Sequence, residues 1–586
     1  MSKHPDLRVG KAIACCLLLS ACTGVVGGEG KTGSESPFAN PGAAAGGTTA
    51  GGATDPGSGL GSTPDEVEQA CAAKQGKLDV GLTKLRRLTR AELDNTLADL
   101  LDITGTPSAT ISPDERMGPF HSNAIAPITD LLVQQYQELA ASLALSVAPR
   151  MAEIAPCDLA ADSGTTCAAQ FISEFGRRAY RRPLEDTEVQ KLVGLYSLAA
   201  QAGGAEKGFR RVVEHMLQSP FFLYHADTGE TGLASATPVP IDAYGLASRL
   251  SYFLWNSMPD DVLFGLAAND TLLEESVLTA QVDRMLGDAR AAATIGLFHR
   301  QWLGMSDLAE AQKDPSLFPD YTPAVATAML KETGDFSAYV IRQGDGLLRT
   351  LLTADFAFPE GPLFDLYGVT QPAGFVPGMP VKLNATQRAG ILTQAAFLAR
   401  HAHGNQTSPV HRGIIVRENL LCQPLEPPPA NVNANPPPPT QTTSTRERFA
   451  KHVADPVCKG CHGLIDGIGL GFEHYDPIGA WRENDGLGPV DAKGEITEVG
   501  ADLASTFDGA VELAHKLAES EEVAGCVGRQ WFRFALGRVE SVSDACSIHA
   551  LQVGLAASDG NVRALLAQIA LSDAFRHVRS TAQEDM

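Results

Sequence analysis

From residue 85 onward, apolar side chains recur every three or four positions, the period of helices that bury one face. Thr89 and Glu92 have the capping-box spacing, and Leu93, Leu97, Leu100 and Leu101 follow on one side. Amphipathic helices are also predicted over 128–147, over 167–180 with Phe171, Phe175 and Ala179 inward, and over 185–200 with Val189, Leu192 and Leu195 inward. The same period continues through 205–225, 242–256, 270–286, 291–303 and 323–342. Pro183, Ser219-Pro220 and Asn256 punctuate these runs. Strict alternation, the mark of half-buried strands, is rare. The expected fold class is mainly α, a multidomain helical body with irregular connections.

The pattern breaks in two places. Residues 423–445 hold Pro427-Pro428-Pro429, four more prolines at 436–439 and then a Gln/Thr/Ser run, which predicts an extended connector. Ser444 and Glu447 form a second capping box, opening a short helix through Phe449 and Val453 that Pro456 should stop. The other break is the start. Lys3, Arg8 and Lys11 precede an apolar run at 12–19, too short for a permanent span, so residues 1–22 read as an export signal. It ends in Leu19-Ser20-Ala21-Cys22, which resembles the bacterial lipobox and implies lipidation of Cys22; ordinary secretion is the alternative. Thr23 in place of Asp favours, by resemblance to sorted lipoproteins, the outer membrane of the cell envelope. Residues 23–65 are rich in Gly, Ala, Ser and Thr and read as a disordered tether. The segments expected beyond it are helical domains at 66–160, 161–235 and 236–370, a helical segment with the Pro-rich connector at 371–430, a distinct segment at 431–500 and a final helical domain at 501–580.

With 46 basic against 69 acidic residues the formal charge is −23, which repels nucleic acid. Contact with a membrane is expected through the lipid anchor alone. Eleven cysteines suit an exported, oxidised chain. Cys15 and Cys16 leave with the signal, and Cys71, Cys157, Cys167, Cys422, Cys526 and Cys546 are left for disulfides. Short loops favour Cys157–Cys167 and Cys526–Cys546, which leaves Cys71–Cys422 by elimination.

Cys458-Lys459-Gly460-Cys461-His462 has the CxxCH form. Two thiols at this spacing can each add to one haem vinyl group, and the adjacent imidazole can then reach the iron from the same side. One covalent haem c is the expected cofactor, which makes 431–500 the expected C-terminal, cytochrome-c-like haem segment of the fold. A structural zinc would need further ligands, and a CxxC disulfide would leave His462 unexplained. Downstream of His462 the one methionine is Met586, so histidine or an open position is expected opposite it, with His452 and His474 as distal candidates. His401, His403, His411 and Met379 are more remote possibilities. Arg482 could pair a haem propionate bidentately, and Trp481 and Tyr475 could pack on the porphyrin. Glu473 and Asp476 are possible acid–base groups, although a turn or helix-start role is commoner.

Segments quoted in order are LRRLTRAELDNTLADLL at 85–101, FGRRAYRRPL at 175–184, SRLSYFLWNSMPDD at 248–261, RAGILTQAAFLA at 388–399, TSPVHRG at 407–413, ENLLCQPLEPPP at 418–429, CKGCHGLIDGIGLGFEHYDPIGAWR at 458–482 and CVGRQWFRFALGR at 526–538. Together they resemble the large cytochrome-c-like multidomain proteins of planctomycetes and myxobacteria, built from domains of unknown function 1587, 1595, 1592, 1588 and 1585 in series. The resemblance implies haem at Cys458, Cys461 and His462 and marks His452, Asp466, Glu473, Asp476 and Arg482 as pattern positions. It implies no reaction. Gly467 departs from the pattern, which usually has proline after Asp466, and is expected to loosen a turn there.

The leading expectation for function is one-electron transfer at the envelope with an unidentified redox partner. A haem-dependent oxidoreductase, peroxidase- or oxygenase-like, is the first alternative, because so much helical chain precedes the motif. A surface scaffold with a structural haem is the second. Whether the chain is an enzyme is left open by its sequence.

Overall fold

Capping chemistry fixes where the helices begin. The Thr89 hydroxyl accepts from the Glu92 amide at 3.3 Å and the Glu92 carboxylate accepts from the Thr89 amide at 2.7 Å, so Arg90–Leu101 starts at the predicted box. Its buried face carries Leu93, Leu97, Leu100 and Leu101, as the spacing requires. Asp242, Asp260, Asp288, Thr322 and Asn561 cap later helices with a side-chain oxygen that accepts from a first-turn amide. This computed structural model describes residues 64–73, 78–125, 127–154, 157, 165–225, 237–427, 435–440, 442–454 and 456–580, with the backbone alone at 64–66, 151–152, 451–454 and 456–457. The signal, Cys22 and nearly all of the tether lie outside those residues.

The helices follow the sequence pattern closely, among them Asp130–Val147, Thr166–Tyr180, Ala243–Trp255, Ala289–Trp302 and Pro323–Arg342. Two details differ. On Asp186–Gln201 the buried positions are Leu192 and Tyr196, with Val189 and Leu195 only half-buried, because one more helical step brings the larger ring inward. The run expected over 270–286 divides into a 3-10 turn, Thr271–Leu273, and the helix Glu275–Gly287.

Two hydrophobic cores organise residues 55–586, which cluster as one unit. The first gathers Leu97, Phe171, Phe209, Val213 and Met216 from the helices before residue 225. The second is larger and joins the central helices to the C-terminal ones, where Trp531 stacks on Phe298 with centroids 3.5 Å apart. Among the described residues, strands occur only as two-stranded antiparallel ladders. One of them pairs Val239–Pro240 with His577–Val578, returning the end of the chain to its middle. No helix among the described residues is long and apolar enough to cross a membrane.

Three disulfides join described residues. Cys157–Cys167 is the expected short loop, but the other pairs are Cys71–Cys546 and Cys422–Cys526, correcting the expected Cys526–Cys546 and Cys71–Cys422. The reason is helical. Cys526 lies in the first turns of Glu521–Leu536 and Cys546 at the start of Ala545–Ala557, so ten residues of helix carry the chain about 15 Å away before it turns. Short separation in sequence is then long separation in space.

Glu332, on Pro323–Arg342, is buried and accepts from the Tyr367 hydroxyl at 2.5 Å, while that hydroxyl accepts from the Ala395 amide at 3.0 Å. Burial pushes the Glu332 carboxyl up to about 8. A folded-state value above the unfolded one gives stability that is complete below pH 4.5 and is lost as pH rises through 8. E332Q should therefore flatten the decline in melting temperature between pH 6 and pH 9, followed by calorimetry; an unchanged decline contradicts this assignment. Non-reducing peptide mapping should recover the pairs Cys71–Cys546, Cys157–Cys167 and Cys422–Cys526, and a Cys526–Cys546 peptide would contradict the fold.

Candidate functional site: the Cys458–His462 helix

The CxxCH motif lies on a helix, Pro456–Leu470. Proline at its first position costs nothing, since that amide has no intrahelical acceptor, so Pro456 begins this helix just after Thr445–Ala454 has ended. The Ser444–Glu447 box opens that preceding helix as expected, with Glu447 accepting from the Ser444 amide at 2.8 Å. Helical spacing places Cys458, Cys461 and His462 on one side, with Ile465 and Gly469 continuing the same stripe. The three motif residues are half-buried.

Backbone-to-backbone contact holds the second half of the helix. It packs against Pro409–Ile415 and against the strand Lys493–Ile496. A Cβ at Gly469 would stand 1.7 Å from the Pro409 carbonyl oxygen, and one at Gly413 would stand 2.2 Å from that of Ile465. On the strand side, a Cβ at Gly494 would be 2.1 Å from the Gly467 carbonyl oxygen. No larger residue fits at these contacts without moving the backbone. Gly467 is therefore part of a tight helix–strand contact, not the loosened turn expected from its departure from the family pattern. Gly460 and Gly463 differ, as their Cβ directions meet nothing within 4 Å.

Cys458 and Cys461 are free thiols, whereas all six other cysteines among the described residues are bonded in pairs. His462 Nδ1 donates to Asp466, with the carboxylate oxygens at 2.9 and 3.1 Å. A carboxylate only accepts, so the proton sits on Nδ1 and Nε2 is the nitrogen with a lone pair for a metal. The Asp466 hydrogen bond holds His462 above the usual imidazole range, against the opposing effect of burial. Two thiols and an oriented imidazole on one helical side match the donor set of a c-type haem. Among the described residues no three His, Cys, Asp or Glu side chains gather as a metal-holding group.

The residues after the motif are committed elsewhere. Arg482 Nη2 reaches Glu473 at 2.6 Å, its Nε donates to the Glu473 carbonyl at 2.7 Å, and Nη1 meets Asp485 at 3.2 Å. Thr407 donates to Glu473 at 2.8 Å, and Asp485 accepts from the Thr445 amide at 2.6 Å. Asp476 accepts from the amides of Ile478 and Ala480, a turn role. Tyr475 is buried, its hydroxyl bonded to the Gln387 carbonyl. Trp481 stacks on His474 with ring centroids 4.4 Å apart. Arg412, fully buried, donates to the carbonyls of Leu398, Phe472, Tyr475 and Asp476 and so ties this turn to the body.

The distal candidates separate as well. Thr445–Ala454, the helix carrying His452, packs against Pro456–Leu470, but the His452 side chain lies outside the described residues. His474 Nδ1 donates to the Arg482 carbonyl at 3.0 Å. His401 is buried, donates from Nε2 to Leu303 at 2.8 Å, and is pushed down to about 3 by burial. His403 and His411 lie 5.1 Å apart beside the buried Lys313, and Met379 is exposed in a loop. Two features escaped sequence reasoning. Arg412 sits in a quoted motif without any local sign of its carbonyl partners, and the His462–Asp466 bond was visible as an i, i+4 pair once the segment is helical.

A cavity of about 430 Å³ lies elsewhere, lined by Asp99, Phe171, Phe175, Arg178, Met258 and Arg290. Arg290 there is held by Asp288 and stacks on Trp255, so the motif helix has the stronger claim as a chemical site.

Five family models match the chain, each described as a protein of unknown function: DUF1587 at 86–148, DUF1595 at 167–227, DUF1592 at 241–369, DUF1588 at 388–485 and DUF1585 at 504–575. The fourth spans the Pro-rich connector, in accord with the packing of Pro409–Ile415 on Pro456–Leu470 across it. No curated protein matches the chain, and no solved structure does.

The packing generates paired mutations of opposite outcome. G469A and G413A should lower the urea midpoint strongly. G460A should stay within about 1 kcal/mol of the parent, since it meets open space and gains helix propensity. Equal tolerance at all three positions would contradict the backbone contact.

Proposed function

We propose, from the premise that the chain belongs to the multidomain proteins built of DUF1587, DUF1595, DUF1592, DUF1588 and DUF1585 in series, that it is an exported envelope lipoprotein holding one haem c for electron transfer. The observation that carries the reading is the pair of free thiols beside an imidazole whose tautomer Asp466 sets. Cys458 and Cys461 would hold the group as thioethers, each S–H adding across a vinyl C=C with no net oxidation. His462 would ligate the iron through Nε2. Once bound, haem c supplies one-electron exchange.

The chain's own residues do the rest. Asp466 orients His462, and the glycine contacts keep the helix from shifting. Arg412 and the Glu473–Arg482–Asp485 chain of contacts anchor the turn that follows. Arg482 is less suited to a propionate than its sequence position implied, because its guanidinium is already shared between Glu473 and Asp485. Three disulfides support an oxidising compartment, where attachment of haem c takes place. Cys22 is the proposed lipid site, giving an outer-membrane location without a spanning helix.

Expression with a haem-maturation system should yield a protein with the pyridine haemochrome spectrum of a doubly thioether-linked haem. C458S/C461S should lose it. A low-spin spectrum unmoved by cyanide or peroxide accords with electron transfer, and rapid reaction with peroxide replaces that reading by a haem oxidoreductase. A colourless wild-type protein from a competent host overturns the proposal.

A further inference from the structure

Four acids of the segment that follows the motif are buried or half-buried, and three of them have structural partners. Glu473 is held by Arg482 and Thr407, Asp485 by Arg482 and the Thr445 amide, and Asp476 by two backbone amides. Asp466 is different. It is buried, with 7% of its side chain exposed, and among the described residues its carboxylate bonds only to His462. A buried carboxylate without an arginine or an amide donor is costly, and helix packing does not require one. The position is also held firmly. Ile465 before it meets Gly413, and Gly467 after it meets Gly494, both through backbone atoms, so the backbone that presents the carboxylate is fixed.

The geometry points to Asp466 as a positioning residue that tunes the electronic character of His462. This inference rests on the haem reading above. A neutral carbonyl acceptor at Nδ1 would only orient the ring. A full negative charge there draws the Nδ1 proton toward itself, gives the ring imidazolate character and makes Nε2 a stronger donor. Stronger donation favours ferric over ferrous iron. Asp466 therefore lowers the midpoint potential of the haem relative to the same chain with a neutral residue at that position.

The test uses the full-length holoprotein and its variants D466N, D466S and D466E, with haem content fixed by pyridine haemochrome. Spectroelectrochemical titration should place D466N and D466S above the wild type by at least a tenfold change in the redox equilibrium, about 59 mV for one electron. D466E, which restores a carboxylate, should fall back toward the wild type. The ferric EPR g-spread should change in the neutral variants, a readout that loss of charge at a distance does not move. Two neutral variants are used so that poor haem loading of one leaves the other. Midpoints and g-values unchanged at equal haem content overturn the inference while leaving haem binding intact. A wild-type chain without haem overturns both together.

Discussion

Glycines at 413, 467, 469 and 494 let the Cys458–His462 helix lie with its backbone directly against Pro409–Ile415 on one side and against the strand Lys493–Ile496 on the other. Dispersion forces fall off steeply with distance, so contacts this close are strong only while no side chain intervenes. They also leave the helix a single position. Cys458, Cys461, His462 and Asp466 take their places from that position, and any chemistry at the motif inherits its precision from it.

The surrounding polar network works toward the same end by different physics. Arg412 is fully buried, and its two terminal nitrogens donate to four carbonyl groups. Arg388 does the same between Thr393 and Gly479 while lying over the rings of Tyr367 and Tyr475. These two arginines connect the motif segment to the helical body across a connector too rich in proline to do so itself. Disulfides add long-range closure. Cys71–Cys546 joins residues 475 apart in sequence, where the loss of unfolded-state freedom is large.

Much of this was legible in the sequence because it is local. Capping boxes at Thr89 and Ser444, apolar stripes such as Phe171 and Phe175, and the CxxCH spacing depend on residues a few places apart. What was not legible is the meeting of distant segments. Nothing near Cys546 in the sequence points to Cys71, and nothing near Arg412 points to residues 472–476. Arg482 and Tyr475 looked available for a cofactor because their partners, Asp485, Glu473 and Gln387, are fixed only by folding. Gly467 misled for the same reason: a glycine reads as looseness until the atom it admits is known. The five domain matches give the order of the parts without a chemical role, so the role has to come from the geometry of the motif helix.

Covalent haem attachment is read by mass spectrometry of the proteolytic peptide spanning residues 458–462, taken from protein matured in a haem-attaching host. The expected peptide carries one haem, with neither Cys458 nor Cys461 open to alkylation. A peptide of unmodified mass, with both thiols alkylated or joined to each other, would contradict it.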